Sequence, residues 1–291
     1  MSMKLARFRH GLLESYGVIL GGFLIPKERL EKELGLTLPC SLDDLIALGG
    51  VDLLRMAVNS AAELRGFKLD DIELLAPLRN PPKMIFLGLN YMSHVREQNA
   101  KMPKGVVIFM KPWTSIAGPF EEIEVPSDYT SKVDYEGELA LIIGRRCRRA
   151  SREDALDFVL GYTVVNDVSA RDIQFTDRQW TRGKSLDKFA PMGPWIVTAD
   201  EVGDPHNLRI RTWLNGELMQ DCSTSDMIFK IPDVISELSR GMTLEPGDLI
   251  ATGTPAGVGI FRDPPVLIRD GDVVEIEIER VGRIRNRFRF V

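Results

Sequence analysis

The sequence has few of the residues that build the commonest covalent and metal sites: 291 residues include only three cysteines and three histidines. Cys40, Cys147 and Cys222 lie far apart, form no C-x-x-C pair and leave an odd number, which argues against a disulfide framework. They read as buried or incidental thiols. Also missing is any apolar stretch long enough to cross a bilayer. The N-terminus, MSMKLARFRHGLLESYG, carries Lys4, Arg7, Arg9 and Glu14 and no unbroken apolar core like that of a secretory signal, so a cytoplasmic protein is expected. Nor is there an excess of positive charge. The formal net charge is -5, which offers a phosphate backbone no attraction, and the RRCRR cluster from Arg145 to Arg149 reads as a solvated turn. Nucleic acid and membrane are therefore not expected partners. With 44% hydrophobic and 27% charged residues, the composition is that of an ordinary soluble globular protein.

The first seventy-odd residues carry helical signals, among them CSLDDLIALGG with Ser41 as N-cap and Gly49 as stop, and they predict a small α+β unit. LAPLRNPPK, from Leu75 to Lys83, then interrupts both helical and strand periodicity, because proline removes a donor and constrains the residue before it. A domain boundary is expected there, giving residues 1–77 and 78–291. Beyond it, short β-type runs bounded by Gly and Pro recur: KMIFLGLNY, VVIFMKP, GELALIIG, YTVVNDV, PWIVTA, RIRTWLNGELMQ, DLIATGTP and VVEIEIERV. That spacing predicts a mainly β fold with some α, an α+β protein. Asn215-Gly216 suits the two positive φ angles of a type I′ hairpin. Two helices are expected among the strands, SREDALDFVLG with a Ser151–Asp154 capping box and IPDVISELSRG with Pro232 in its first turn and Gly241 as its stop. The C-terminal VVEIEIERVGRIRNRFRFV predicts a hairpin that pairs Glu279 with Arg285 and Ile276 with Phe288 around a loop at Val281 to Arg283.

Four stretches carry candidate chemistry. In VDYEGELALIIGR, Glu136 and Glu138 are two apart and share one face of a strand, where neighbouring carboxylates repel unless a proton or cation lies between them; an edge strand with exposed charge is the alternative. In GYTVVNDVSARDIQ, Asp167 follows an apolar run and either caps the next turn or joins the two glutamates in an all-oxygen set suited to Mg²⁺ or Mn²⁺. In NYMSHVREQ, His94 and Glu97 lie three apart and share a face if the segment is helical, so that Glu97 can orient the imidazole as a base; a structural histidine is the alternative. In QWTRGKSLDKFAPMGPW, Gly183-Lys184-Ser185 is no phosphate loop, because Arg178 stands where the first glycine belongs, and Lys184 reads as a cation aimed at a carboxylate or enolate. GTPAGVG, from Gly253 to Gly259, opens into no helix and so is no dinucleotide fingerprint; its glycines let backbone N–H groups approach a ligand.

YEGELALIIG, GYTVVNDVSARDIQ, QWTRGKSLDKFAPMGPWIV and LEPGDLIATGTPAGVG, in this order over about Pro82 to Val291, resemble the fumarylacetoacetate hydrolase family. The resemblance implies a mixed β-sandwich roll, a homodimer and a divalent metal. It makes Glu136, Glu138 and Asp167 the ligands of Mg²⁺ or Mn²⁺ and His94 and Glu97 a water-activating pair on a lid. It makes Lys184 the enolate partner, and Arg171, Gln174 and Thr254 parts of the substrate wall. The substrate implied is a small oxo-acid. The leading expectation is a hydrolase cleaving a carbon–carbon bond in acylpyruvate- or fumarylpyruvate-type 2,4-dioxo acids. The alternative is an oxaloacetate-type decarboxylase or hydroxymuconate-type isomerase or decarboxylase at the same metal. The polar stretch from about Tyr91 to Lys104 is expected to have little to bury and to be poorly ordered without ligand.

Overall fold

The computed structural model describes residues 3–60 and 66–291. The elements used below are β1 (Lys4–His10), β2 (Leu13–Leu20), β3 (Phe23–Pro26), α1 (Lys27–Leu34), α2 (Leu42–Ala47), α3 (Val51–Ser60), β4 (Met84–Gly88), α4 (Met92–Glu97), β5 (Val107–Met110), β6 (Gly137–Ile143) and β7 (Val159–Asn166). They continue with α5 (Arg171–Thr176), α6 (Thr181–Lys184), β8 (Ala190–Thr198), β9 (Arg209–Leu214), β10 (Glu217–Ser223), α7 (Ile231–Gly241), β11 (Leu249–Ala251), β12 (Val273–Ile278) and β13 (Gly282–Phe290).

The larger sheet runs β3-β2-β1-β8-β7-β6-β11-β4-β5, and all these neighbours are antiparallel except β11 and β4. The smaller sheet runs β10-β9-β12-β13 and ends on Ile123–Val125. The fold is thus mixed α and β, with two packed sheets. β6 explains how they stack. Leu139, Leu141 and Ile143 enter a core shared with Ile210, Ile276 and Phe288 of the smaller sheet. Ala140 and Ile142 point the other way, into a core with Leu30, Leu42, Leu45 and Leu54 of α1 to α3. A strand covered on both faces shows an unbroken apolar run, and each such Leu or Ile contributes about 1.5–3 kcal/mol on burial. β1 pairs with β8 through Lys4↔Val197 and Leu5↔Ile196, so one sheet continues across the proposed division at residues 77 and 78.

The local signals mostly hold. Ser41 Oγ accepts the Asp44 N–H at 3.0 Å at the start of α2, and Gly49 takes a φ of 70° beyond its end. Asn215 and Gly216 both have positive φ, 51° and 84°, between β9 and β10, as a type I′ turn requires. α7 forms with Pro232 in its first turn, although Gly241 is its last residue and does not lie beyond it.

Two expectations are corrected. SREDALDFVLG is not a helix: a single 3₁₀ turn covers Ala155–Phe158, and β7 begins at Val159. The Ser151–Asp154 hydrogen bonds do form, with the Asp154 N–H reaching Ser151 Oγ at 3.1 Å. However, the β-branched run that follows finds ladders on both sides, in β6 and β8, and that pairing overrides the local cap. In the C-terminal hairpin Glu275 faces Arg285, Ile276 faces Ile284 and Ile278 faces Gly282, so the three-residue turn falls at 279–281, two residues earlier than expected. The glutamates and arginines still share a face. The turn moves because Val281 is buried and its carbonyl accepts the Trp195 indole N–H at 2.7 Å, which a loop centred on Gly282 would forfeit. Gly282 instead permits close approach, since a Cβ there would lie 2.7 Å from Pro194 Cδ.

Candidate functional site

The acidic cluster grows from two adjacent strand ends. Gly137 pairs with Asn166, and the Asp167 N–H donates to the Glu136 carbonyl at 2.9 Å. Glu136 and Glu138 flank Gly137 on one face, and Asp167 follows β7 directly. One carboxylate oxygen from each of Glu136, Glu138 and Asp167 lies within 4.8 Å of the other two, and all three residues are buried.

Taking several carboxylates out of water costs several kcal/mol per ion unless partners offset it. Three buried cations do so. Lys184 Nζ donates to Glu136 Oε2 at 2.8 Å and to Asp167 Oδ2 at 2.6 Å. Lys111 Nζ donates to Asp167 Oδ1 at 2.7 Å and to the carbonyls of Phe189 and Val168 at 2.6 and 3.2 Å. Arg171 reaches Glu136 Oε1 at 2.7 Å, Asp134 Oδ2 through Nε at 2.9 Å, and Gln174 Oε1 at 3.0 Å. Burial raises the Glu136 carboxyl, but the charges of Lys184 and then Arg171 outweigh it and hold the group below the usual carboxylate range. For Glu138, burial and then repulsion from Asp167 and Glu136 all push upward, and its pKa is well above normal. Burial lowers the Lys184 ammonium, yet Asp167 and Glu136 more than restore it. Lys111 is lowered by burial and by Lys184, against the pull of Asp167. Glu138 thus has no cation of its own among these three, and its one N–H partner at this spot is Gly253, at 2.9 Å. Three hard oxygen donors with one carboxyl left uncompensated fit Mg²⁺ or Mn²⁺.

Above the cluster lies a cavity of about 70 Å³ lined by His94, Gln98, Glu136, Arg171, Gln174, Lys184 and Thr254, with Phe109, Phe175, Trp180 and Phe261 as aromatic walls. His94 is on α4, its Nδ1 3.0 Å from Glu97 Oε2, and Glu97 Oε1 accepts the Gly257 N–H at 2.7 Å. Gly257 has a φ of 105°, and a Cβ there would sit 2.2 Å from the Met219 carbonyl oxygen. The glycine-rich loop therefore aims its N–H groups at Glu138 and Glu97, where the sequence suggested a ligand. Thr254 Oγ1 donates to the Gly137 carbonyl at 3.0 Å and accepts from Gln220 Nε2 at 2.8 Å.

The expectation that the stretch beginning at Tyr91 has little to bury fails through Glu97. Tyr91, His94 and Val95 are buried, the Ser93 N–H donates to Asp226 Oδ2 at 2.8 Å, and the Ala256 N–H donates to Ser93 Oγ at 3.2 Å. Tyr91, the N-cap of α4, joins the core with Ile85 and Leu87 of β4 and so anchors the start of the helix.

Lys111 and Asp134 are absent from the sequence-based site. Asp134 accepts N–H groups from Gly259 at 2.8 Å and Ile260 at 3.0 Å as well as from Arg171. Its signal was available, since it continues the two-residue alternation of Glu136 and Glu138. Lys111 stands at the end of the apolar run of β5, which resembles any solvated strand terminus until the fold closes over it.

No helix among the described residues is long and apolar enough to cross a membrane. The fold and the carboxylate cluster define a class of mixed-sheet proteins with a hard-cation centre. A family model described as fumarylacetoacetate (FAA) hydrolase C-terminal matches residues 83–289, and the chain belongs to that family. It is 44% identical over 294 residues to the mitochondrial oxaloacetate tautomerase fahd2 of Xenopus laevis, covering 98% of this chain and 90% of the relative. It is 41% identical to the oxaloacetate tautomerase YisK of Bacillus subtilis, covering 94% and 97%. A maleylpyruvate hydrolase from Sphingobium sp. SYK-6, solved in complex with manganese(II) and pyruvate, superimposes with a TM-score of 0.81 at 34% identity over 99% of each chain.

Proposed function

We propose that the protein is a divalent-metal-dependent isomerase of small 2-oxo diacids, interconverting the keto and enol forms of oxaloacetate. The observation that carries this reading is that His94, held through Nδ1 by Glu97, lines one cavity of about 70 Å³ together with Lys184 and with Glu136 of the acidic cluster. Relatives that match almost the whole chain and are named oxaloacetate tautomerases support it.

When bound by Glu136, Glu138 and Asp167, Mg²⁺ or Mn²⁺ supplies a Lewis acid for the oxygens of a 2-oxo carboxylate. The chain's own groups handle the proton. His94, oriented through Nδ1 by Glu97, takes a proton from the carbon beside the ketone as that C–H bond breaks. The electron pair moves toward the ketone oxygen, where Lys184, kept as an ammonium by Asp167 and Glu136, offers an N–H and the proton that makes the enol. Return of the His94 proton through solvent to Lys184 restores the site. Arg171 holds Glu136 in place, and Phe109, Trp180 and Phe261 limit water.

A second reading is carbon–carbon hydrolysis of 2,4-dioxo acids, favoured by the hydrolase neighbour with pyruvate bound and by the same histidine pair acting on water. We also infer a homodimer, with the chain divided into residues 1–77 and 78–291. The deciding experiment follows, with Mg²⁺ and with Mn²⁺, the loss of enol absorbance of oxaloacetate, the release of pyruvate from it, and the cleavage of a panel of acylpyruvates. Tautomerisation should have the highest kcat/KM. Faster cleavage of an acylpyruvate sinks the first reading and establishes the second.

A further inference from the structure

The ring nitrogen of His94 that the proposed reaction needs is already engaged. Glu97 accepts at both oxygens, from the Gly257 N–H at 2.7 Å and from His94 Nδ1 at 3.0 Å. An ionised carboxylate can only accept, so Nδ1 carries the hydrogen, and the neutral imidazole has its lone pair on Nε2. Gln98 Nε2 lies 2.5 Å from that atom. The network assigns the amide orientation, because the carbonyl oxygen in the same place would face a lone pair. We propose that Gln98 is a positioning residue that occupies the proton-accepting nitrogen of His94 in the resting site and yields it when a 2-oxo acid binds. This rests on the reading of His94 as the proton carrier.

The local backbone suits the exchange. Gln98 is the C-cap of α4, its N–H bonded back to the His94 carbonyl at 3.2 Å. Asn99 follows with a φ of 50°, so the helical ladder ends at Gln98 and its side chain can swing without unwinding the turn that carries His94. Both residues line the same cavity, and the Phe261 ring stands 6.1 Å from the imidazole at an edge-on angle. A substrate hydrogen aimed at Nε2 must take the place of the amide. The exchange gives up one amide hydrogen bond to let a substrate C–H reach Nε2, so the competition is worth about one hydrogen bond and falls on binding.

The test uses the full chain with Mg²⁺, labelled with ¹⁵N-histidine; only His10, His94 and His206 report, and His94→Ala assigns the signal. In the ligand-free protein, Gln98→Ala should move the His94 Nε2 resonance toward that of a water-exposed acceptor, and adding pyruvate to the wild type should also displace it. Gln98→Asn, too short to reach the ring, should reproduce the first shift and serves if the alanine variant is unstable. In turnover, Gln98→Ala should lower KM by about three- to tenfold with kcat within about twofold, the worth of one released hydrogen bond. An Nε2 resonance unmoved by both substitutions overturns the proposal, as does a KM that rises at constant kcat. The ring signal is read without turnover, so it does not depend on which reaction is catalysed. Failure of the functional reading shows separately, as full activity in His94→Ala.

Discussion

Two of the three histidines are wired alike in very different places. His94 has Glu97 at Nδ1 and the Gln98 amide at Nε2. His206 has Asp204 Oδ1 at 3.3 Å from Nδ1, and its Nε2 accepts the Ile231 N–H at 3.1 Å at the start of α7. The difference lies beyond Nε2. For His206 the partner is a backbone amide that cannot leave without unwinding a helix. For His94 it is a side chain at a helix end, beside a cavity lined by Glu136, Arg171 and Lys184. A carboxylate-oriented imidazole is thus no signature of chemistry by itself: a replaceable partner and charged groups nearby separate a proton carrier from a helix cap.

The largest effect comes from breaking the acidic cluster. Glu138→Ala or Asp167→Ala should abolish turnover and measurable Mn²⁺ binding by calorimetry, because two carboxylates hold a hard cation too weakly. His206→Ala should leave both intact. The same binding has a pH signature. Burial, Asp167 and Glu136 raise the Glu138 carboxyl, so below that raised pKa the metal competes with a proton, and affinity should fall as pH falls. Calorimetry in buffers of different ionisation enthalpy should register proton release on Mn²⁺ binding. No proton release at any pH would contradict the claim that Glu138 is left uncompensated in the free site.

An intermediate effect should separate the histidines. His94→Ala should slow the reaction by about two to four powers of ten, the usual worth of a positioned base, with Mn²⁺ affinity unchanged. His206→Ala should remain within about twofold of wild-type turnover, since its partners are structural. Equal losses in the two variants would show that His94 acts through folding.

How much of this was legible in the sequence depends on distance along the chain. The two-residue spacing of Glu136 and Glu138 and the three-residue spacing of His94 and Glu97 are local, and strand and helix periodicity turn each into a shared face. The resemblance placed Asp167, Lys184, Arg171, Gln174 and Thr254 beside them. What stayed hidden was set by tertiary pairing: Lys111 acquires its meaning only when Phe189 and Asp167 close around it. The C-terminal register followed the burial of Val281 against the visible turn signal of Gly282. The resemblance makes Arg171 part of the substrate wall, whereas the fold also commits its guanidinium to Asp134, Glu136 and Gln174.

The smallest effect concerns His206 as a cap, and its sign follows from burial. Desolvation lowers its pKa, Asp204 and Asp233 oppose the shift, and Lys230 adds to it. The unfolded chain, with an ordinary pKa of about 6.5, therefore takes up a proton first as the solution is acidified. Stability contributed by the neutral ring is complete above that value and is lost as pH falls through the lower folded-state pKa. Protonation also removes the acceptor that Ile231 uses, leaving the first N–H of α7 without its cap. At pH 8, His206→Ala should be less stable by about 1 kcal/mol, the usual cost of a lost helix cap. Thermal melts repeated at pH 5 should show the gap narrowing, because the unfolded wild type takes up a proton at His206 more readily than the folded protein does and so loses stability that the alanine variant keeps. A gap that stays constant or widens toward acid would mean that His206 is held by its charge and not by its lone pair, and the parallel with His94 would fail.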